Sequence, residues 1–394
     1  MPSFEPLRGI HVVDLTSSLA GPTCTEILAG LGAEVVKVEH PLRGDEARAW
    51  GPRFFPGGSA MFFAANLSKR SLALDLKEPR GREVLLRLVD RADVLVQSMR
   101  PGAAERNGLC GAALRARNDR LVYCSVGAFG REGPLAGQPG YDPLMQAFAG
   151  IVSITGEPDR PGVRVGPSLI DIGTGIWAAL AIVAALHERT TTGRGREVDV
   201  ALFDTALAFV GYQLTAALRT GVAPGRFGTA FPLIVPYEVF PTADGELMIA
   251  AANDGLFARL CERVGLPGLA RDPRFATNPD RIANRGKLLP SIRRRLRERT
   301  SAEWLELLEG IPVAPVQDLV EVGAHEQTRA SGMLEEVEGV ETVAFPLRFD
   351  GERPGHRLPA PRLGEHSLEV LAELGYPADE VATLVADGVV GSPA

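Results

Sequence analysis

"GIHVVDLTSSLAGPTCTEILAGLGAEVVKVEH", residues 9–40, decides the fold. Its opening, "GIHVVD" (9–14), reads as a short buried strand. "LTSSLAGPTCTEILAGLG" continues as a loop and an apolar helix, and "AEVVKVEH" (33–40) as a second strand. Strand, helix and strand within about 30 residues make a βαβ unit, which implies a parallel sheet with a right-handed crossover.

The alternation extends outward from this unit. "SLALDL" (71–76), "DVLVQS" (93–98) and "RLVYCSVGAFG" (120–130) read as strands, and "GREVLLRLVDRA" (81–92) and "YDPLMQAFAGIVSIT" (141–155) as helices. A further helix after Asp171 stops at "TTTGRGR", and the strand "EVDVALF" and a long helix to about Arg219 complete the block. The fold class is therefore α/β, with an open parallel sheet in a large domain spanning 1–219.

"TGVAPGRFGTAFPLIVP" (220–236) is rich in glycine and proline and reads as a linker. Beyond it, "GELMIAAAN" (245–253) reads as a strand, and 254–265, 281–299 and 301–310 as helices. Gly265 closes the first of these and Ser301 opens the last as N-cap. A smaller α+β domain over 237–325 follows. The segment 326–394, with a strand "VAFPLRF" and a helix "GEHSLEVLAELG", returns to the large domain. Two domains suit 394 residues, because single cores stop growing at roughly 250–300 residues.

A net charge of −7 argues against general affinity for nucleic acid or an anionic membrane. The basic run "RIANRGKLLPSIRRRLRERT" (281–300) has no interleaved aromatic residue for base stacking, so it reads as a solvated face or an inter-domain contact. No membrane partner is expected either. The start lacks a signal-peptide core, and the run Ile176 to Leu186 is shorter than the roughly 20 residues that span a bilayer. The four cysteines, Cys24, Cys110, Cys124 and Cys261, form no Cys-x-x-Cys pair and read as reduced thiols of a cytoplasmic protein. The six histidines show no ligand spacing, so no metal is expected.

Several enzyme classes lose support. Glu39 at the end of the second strand invites a dinucleotide reading, yet the turn "DLTSSLAGP" lacks Gly-x-Gly-x-x-Gly. "TTGRGREVD" lacks the Lys-Ser/Thr of a P-loop, and no Gly-x-Ser-x-Gly elbow occurs. What stands out instead is "VGPSLIDIGTGIWAAL" (165–180), which places Asp171 in an uncharged stretch with no basic residue within six positions. Asp171 reads as the N-cap of the following helix, as a functional carboxylate, or as both.

The order and spacing of several segments carry a resemblance. They are "LRGIHVVDLTSSLAGPTCTEILAGLGAEVVKVEHPLRGDEAR", "NLSKRSLALDLKEPRGREVLLRLVDRADVLVQSMRPG", "GYDPLMQAFAG", "TGRGREVDVALFDTAL", "IPVAPV" and "PRLGEHSLEVLAELGY". Together they resemble the class III CoA-transferases, which include formyl-CoA:oxalate and carnitine CoA-transferases. The resemblance implies a Rossmann-like large domain, a small domain, and a homodimer of two interlocked, ring-shaped chains. It implies that Asp171 is catalytic and that CoA contacts fall on Leu19, Ala20, Leu74, Lys77, Ser98, Met99, Arg100 and Arg106. Formyl-CoA transferase has arginine after its "KIE" strand, whereas His40 follows "KVE" here, leaving Arg43 or Arg48 to take up the phosphate contact. Tyr141, Asp142 and Gln146 line the acyl pocket or belong to a satisfied helix face; Tyr141 is counted with the CoA site.

A carboxylate nucleophile suits CoA transfer because it conserves the thioester's free energy through a mixed anhydride and then an aspartyl-CoA thioester. CoA and its acyl thioester would be substrates, with a small carboxylic acid as partner and no resident cofactor. The glycines near Asp171 are expected to admit the thioester and offer N–H groups to the oxyanion. The helix dipole would favour the aspartate charge by about 0.3–1 kcal/mol. The family also contains α-methylacyl-CoA racemases, which need a histidine where Tyr141 stands, and tyrosine, with a pKa of about 10, is a poor base at neutral pH. A CoA-binding protein without turnover is the other alternative. Formyl-CoA transferase carries a glycine-run loop in its small domain, and no such run lies between 225 and 260, which points away from formyl-CoA and oxalate; "NDGLFARLCERVG" and "DPRFATNPDRIANR" resemble members that use succinyl-CoA or other dicarboxylate and hydroxy-acid partners.

Overall fold

Val12, Val13, Val35, Val36, Val94 and Val96 are β-branched and all buried, as expected of parallel strands covered on both faces. The computed structural model describes residues 4–52, 55 and 57–392. The chain runs through β1 (His11–Leu15), α1 (Ala20–Gly30), β2 (Glu34–Glu39), α2 (Ala60–Ala65), β3 (Lys69–Leu74), α3 (Pro79–Arg91) and β4 (Val94–Gln97). It continues with α4 (Ala103–Arg106), α5 (Gly111–Arg117), β5 (Val122–Gly127), α6 (Asp142–Phe148) and α7 (Ile151–Ile154). Then come α8 (Leu169–Thr192), β6 (Glu197–Ala201), α9 (Leu202–Phe209) and α10 (Gly211–Thr220).

The large sheet has the order β3-β2-β1-β4-β5-β6 and is parallel throughout these six strands. Val12 of β1 lies beside Val35 of β2 on one side and Val94 of β4 on the other. A short strand, Val390–Gly391, pairs antiparallel with the outer edge of β3. One sheet face carries a core of Val13, Val36, Leu72, Leu95 and Tyr123 under α3, α5 and the helices Ser367–Glu373 and Ala378–Ala386. The alternate strand residues meet α1 and α8, which pack closely on each other. A Cβ on Gly175 of α8 would come within 2.8 Å of the Ala20 carbonyl oxygen, and one on Gly173 within 2.4 Å of Phe209. By length and composition alone α8 could cross a membrane, which its uninterrupted apolar run did not suggest; half of its most apolar window is buried.

The chain divides into two compact units. The first takes Met1–Ile151, Val165–Thr220 and Arg329–Ala394, and the second Val152–Arg164 and Gly221–Thr328. In the second, the antiparallel strands Tyr237–Pro241, Glu246–Ala250 and Val313–Pro315 form a sheet. Its core contains Phe240, Ile249, Phe257, Leu260, Ile292 and Trp304.

Several local expectations change. Gly150, at φ 87°, separates α6 from α7, where one helix was expected. The strand near "VAFPLRF" lies earlier, in the hairpin Leu334–Val337 and Val340–Val343. Thr300 rather than Ser301 caps the helix Ser301–Leu307, in a capping box with Glu303. Arg281, placed on a solvated face by charge pattern, is buried with its Nε donating to the Val235 carbonyl at 2.7 Å and its guanidinium over Phe257.

Candidate active site

Asp171 is the third residue of α8, inside the first turn and not the N-cap; that position belongs to Ser168, whose side chain makes no capping bond. The cap comes from another helix. Asp142, at the start of α6, accepts the Ile170 N–H at 2.7 Å and the Asp171 N–H at 3.3 Å on Oδ2. Its Oδ1 accepts from Gln146 Nε2 at 2.6 Å, and Gln146 Oε1 in turn accepts the Val165 N–H at 2.8 Å. Both Asp142 and Gln146 are buried and hydrogen-bonded to the start of α8 and the stretch leading into it, the satisfied helix face of the two readings.

The Asp171 carboxylate has no ion-pair or hydrogen-bond partner among the described residues. Burial, and then the negative charge of Asp142, push its pKa up to about 7. The helix dipole was expected to keep this group ionised. Desolvation and a like charge outweigh it, because the dipole contributes only about 0.3–1 kcal/mol. The glycines also have another job. The spaces beside Gly173 and Gly175 are filled by Phe209, Thr205, Ala20 and Thr23, and both residues lie within the helical ladder, so they admit neighbouring helices rather than a thioester.

The turn between β1 and α1 is held by buried charge. Asp14 accepts from Thr16 Oγ1 at 2.5 Å, Thr25 Oγ1 at 2.6 Å and Lys69 Nζ at 3.0 Å. Lys37 Nζ donates to the Thr16 carbonyl at 2.9 Å and lies 2.9 Å from Asp45 Oδ2. Ser17 N–H donates to Ser98 Oγ at 3.1 Å, which joins this turn to the one after β4. Leu19 is the N-cap of α1 and Ala20 its first residue. Tyr141, the N-cap of α6, is half-exposed, with its ring edge toward Trp50 and its hydroxyl near Glu46.

Outside the carboxyl ends of β2, β3 and β4 lies a cleft of about 210 Å³, lined by residues that include His40, Leu74, Lys77, Met99 and Asn107. Open α/β sheets bind ligands at this end. Arg100 and Arg106 are not among the lining residues, although Arg106 directly precedes Asn107. Of the expected contacts, His40, Leu74, Lys77 and Met99 line the cleft, and Leu19, Ala20 and Tyr141 lie at the α1 and α6 starts.

Residues 7–367 match the model of CoA-transferase family III. The chain belongs to this family. It is 39% identical over 377 residues to the acetyl-CoA:oxalate CoA-transferase of Acetobacter aceti, covering 94% of this chain and 96% of that protein. It is also 39% identical over 388 residues to the succinate–glutarate CoA-transferase of Agrobacterium fabrum, covering 95% of this chain and 97% of that one. Among solved structures, a CAIB/BAIF family protein from Brucella suis matches with a TM-score of 0.87 and 39% identity, covering 94% of this chain and 100% of that one. The protein is a class III CoA-transferase, an enzyme whose substrates are CoA thioesters.

For a CoA-transferase, the placement of Arg48 is a correction. Its Nε and Nη2 donate to Glu39 at 2.8 and 2.7 Å, its Nη1 to the Gly57 and Pro361 carbonyls, and it stacks over Phe62. It ties loops together and has little left for a phosphate; Arg43 remains exposed. His40 lines the cleft, and its Nδ1 accepts the Leu42 N–H at 3.2 Å. Among the described residues no three His, Cys, Asp or Glu side chains group as a metal cluster. Sequence reading gave no part to Ser18, Glu46 and Trp50, which the fold brings together with Tyr141; the only local signal was the acidic pair in "GDEARAW", shortly after the second strand.

Proposed function

We propose that Asp171 is the nucleophile of this CoA-transferase and that it moves CoA from an acyl-CoA to a carboxylic acid. A carboxylate oxygen of Asp171 attacks the thioester carbonyl carbon, the C–S bond breaks, and CoA leaves as thiolate. The thiolate attacks the Asp171 carbonyl carbon and expels the donor carboxylate, leaving an aspartyl-CoA thioester. The acceptor carboxylate repeats both steps in reverse and restores Asp171. The observation that carries this reading is an unpaired, largely buried carboxylate raised to about 7. A more basic carboxylate is a stronger nucleophile once ionised, and no cation shields it.

Succinyl-CoA is the proposed donor, in keeping with the relatives named for succinate or succinyl-CoA. Oxalate, disfavoured by the missing glycine run, returns as a candidate acceptor through the Acetobacter relative. A Rossmann-like large domain suits the 3-2-1-4-5-6 strand order. An interlocked homodimer suits the apolar side chains that α8 leaves exposed, among them Trp177 at 45% and Leu180 at 57%, and α10, which buries none of its residues. Four free cysteines suit the cytoplasm.

The test is Asp171→Ala assayed against a panel of acyl-CoA donors and carboxylic acids. We expect transfer to fall at least about 10³-fold, over 4 kcal/mol of barrier. Wild-type protein given acyl-CoA alone should gain a CoA adduct on Asp171 by mass spectrometry. Turnover retained by the variant overturns the proposal.

A further inference from the structure

Two hydroxyl groups from separate parts of the first unit direct their hydrogens at one carboxylate oxygen. Ser18 Oγ donates to Glu46 Oε1 at 2.6 Å, and Tyr141 Oη donates to the same oxygen at 3.4 Å. The preceding residue, Asp45, accepts the Ser18 N–H on Oδ1 at 3.0 Å, while the buried Lys37 lies 2.9 Å from its Oδ2. Ser18 has φ 71°, a left-handed conformation that costs a residue with a Cβ about 1–2 kcal/mol. Asp45 and Glu46 thus grip Ser18 by its backbone and its side chain, in a conformation it would not hold alone.

A hydroxyl has one hydrogen and two lone pairs. With both hydrogens committed to Glu46, Ser18 and Tyr141 turn only lone pairs toward a ligand passing between the starts of α1 and α6. Such a wall accepts N–H groups and repels carboxylate or phosphate oxygens. Tyr141 is 49% exposed, and it immediately precedes Asp142, which holds the Asp171 N–H. CoA presents this chemistry in its pantetheine arm, whose two amides link the charged nucleotide to the reacting sulfur.

We propose that Glu46 is a positioning residue that holds Ser18 and Tyr141 as paired hydrogen-bond acceptors for the pantetheine amides of CoA, setting the arm's direction toward Asp171. The proposal rests on the CoA-transferase reading of the site. It predicts a split between two halves of one ligand: the arm depends on Glu46 and the nucleotide does not.

The experiment measures calorimetric binding of CoA and of adenosine 3′,5′-bisphosphate, which lacks the arm, to the full-length wild type, Glu46→Gln, Ser18→Ala and Tyr141→Phe. Glu46→Gln should weaken CoA about three- to tenfold, the loss of one ordinary hydrogen bond, and leave the bisphosphate unchanged. Combining Glu46→Gln with Tyr141→Phe should cost no more than the larger single effect. In parallel, NMR of ¹³Cζ-labelled tyrosine follows the Tyr141 hydroxyl, which the Glu46 charge raises above its ordinary value; Glu46→Gln should bring it down. Equal weakening of both ligands, unchanged CoA affinity or an unmoved Tyr141 titration each overturns the proposal. Wild-type protein that binds no CoA overturns the CoA reading itself, and with it the ligand assigned to this clamp; the tyrosine titration separates that failure from absence of the clamp.

Discussion

Asp14 lies in β1 among Lys69, Lys37, Thr16 and Thr25, whereas Asp171 lies in the first turn of α8 beside Asp142. Burial pushes both carboxyls toward their neutral form. At Asp14, two lysines and two hydroxyls more than cancel that push and hold the group well below the usual carboxylate range. At Asp171 no cation answers burial, and Asp142 adds to it. The fate of a buried acid is thus set by what faces it. The satisfied acid anchors the β1–α1 turn, and the unsatisfied one is left without a counter-charge. The cost at the first cluster shows in its partner, since burial brings Lys69 down to about 8 even beside Asp14.

The largest effect should come from breaking the satisfied cluster. Lys69→Met takes the paired ammonium from Asp14 and the donor from Asn66 Oδ1, and removal of one partner from a buried pair costs about 3–5 kcal/mol. Urea denaturation at neutral pH measures this. Adding Asp14→Asn should recover much of the loss. A single variant as stable as wild type would dissolve the contrast.

A smaller effect of opposite sign is expected at Asp171. Its folded pKa of about 7 lies above the ordinary 3.8, so between those values the folded chain keeps a proton that the unfolded chain has released. Stability therefore falls as pH rises through that window, and the deficit is complete above about pH 7 and absent below about pH 4. Asp171→Asn carries no such deficit and should be more stable at pH 8 by on the order of 2 kcal/mol. Thermal melts at pH 8 and pH 5 check this: the gain should shrink at the lower pH. A gain independent of pH would remove ionisation from the account.

The finest test separates the two causes at Asp171. Asp142→Asn removes the like charge while keeping an oxygen for the Ile170 N–H, so the rise of activity with pH should move to lower pH, at a stability cost of about 1 kcal/mol. A pH–rate profile decides it. An unmoved midpoint would leave burial as the sole cause and make Asp142 purely a cap.

Legibility followed distance along the chain. The strands near Val12, Val35 and Val94 and the helix α3 declared themselves through runs and periods of apolar residues, which need only neighbours. The two-residue edge strand Val390–Gly391 had no period to read, because its existence depends on β3 beside it. Matching the family brought His40, Leu74, Lys77 and Met99 to one cleft, whereas Arg48, offered with Arg43 for its charge and its nearness to His40, turns to Glu39, a partner that charge alone does not name until the loop closes. Gly173 and Gly175 showed how a motif misleads: their smallness serves Phe209 and Ala20, neither of which is adjacent in sequence.

The amino-acid order alone determined the βαβ alternation and the isolation of Asp171 from local cations, since both depend on residues a few positions apart. Only the tertiary structure decided that Asp142, 29 residues away, caps and burdens Asp171, and that Lys69, 55 residues away, relieves Asp14. The physical reason is that desolvation and Coulomb interaction act through space. Until the chain is packed, a sequence states which charges exist, but not which of them meet or how dry the meeting place is.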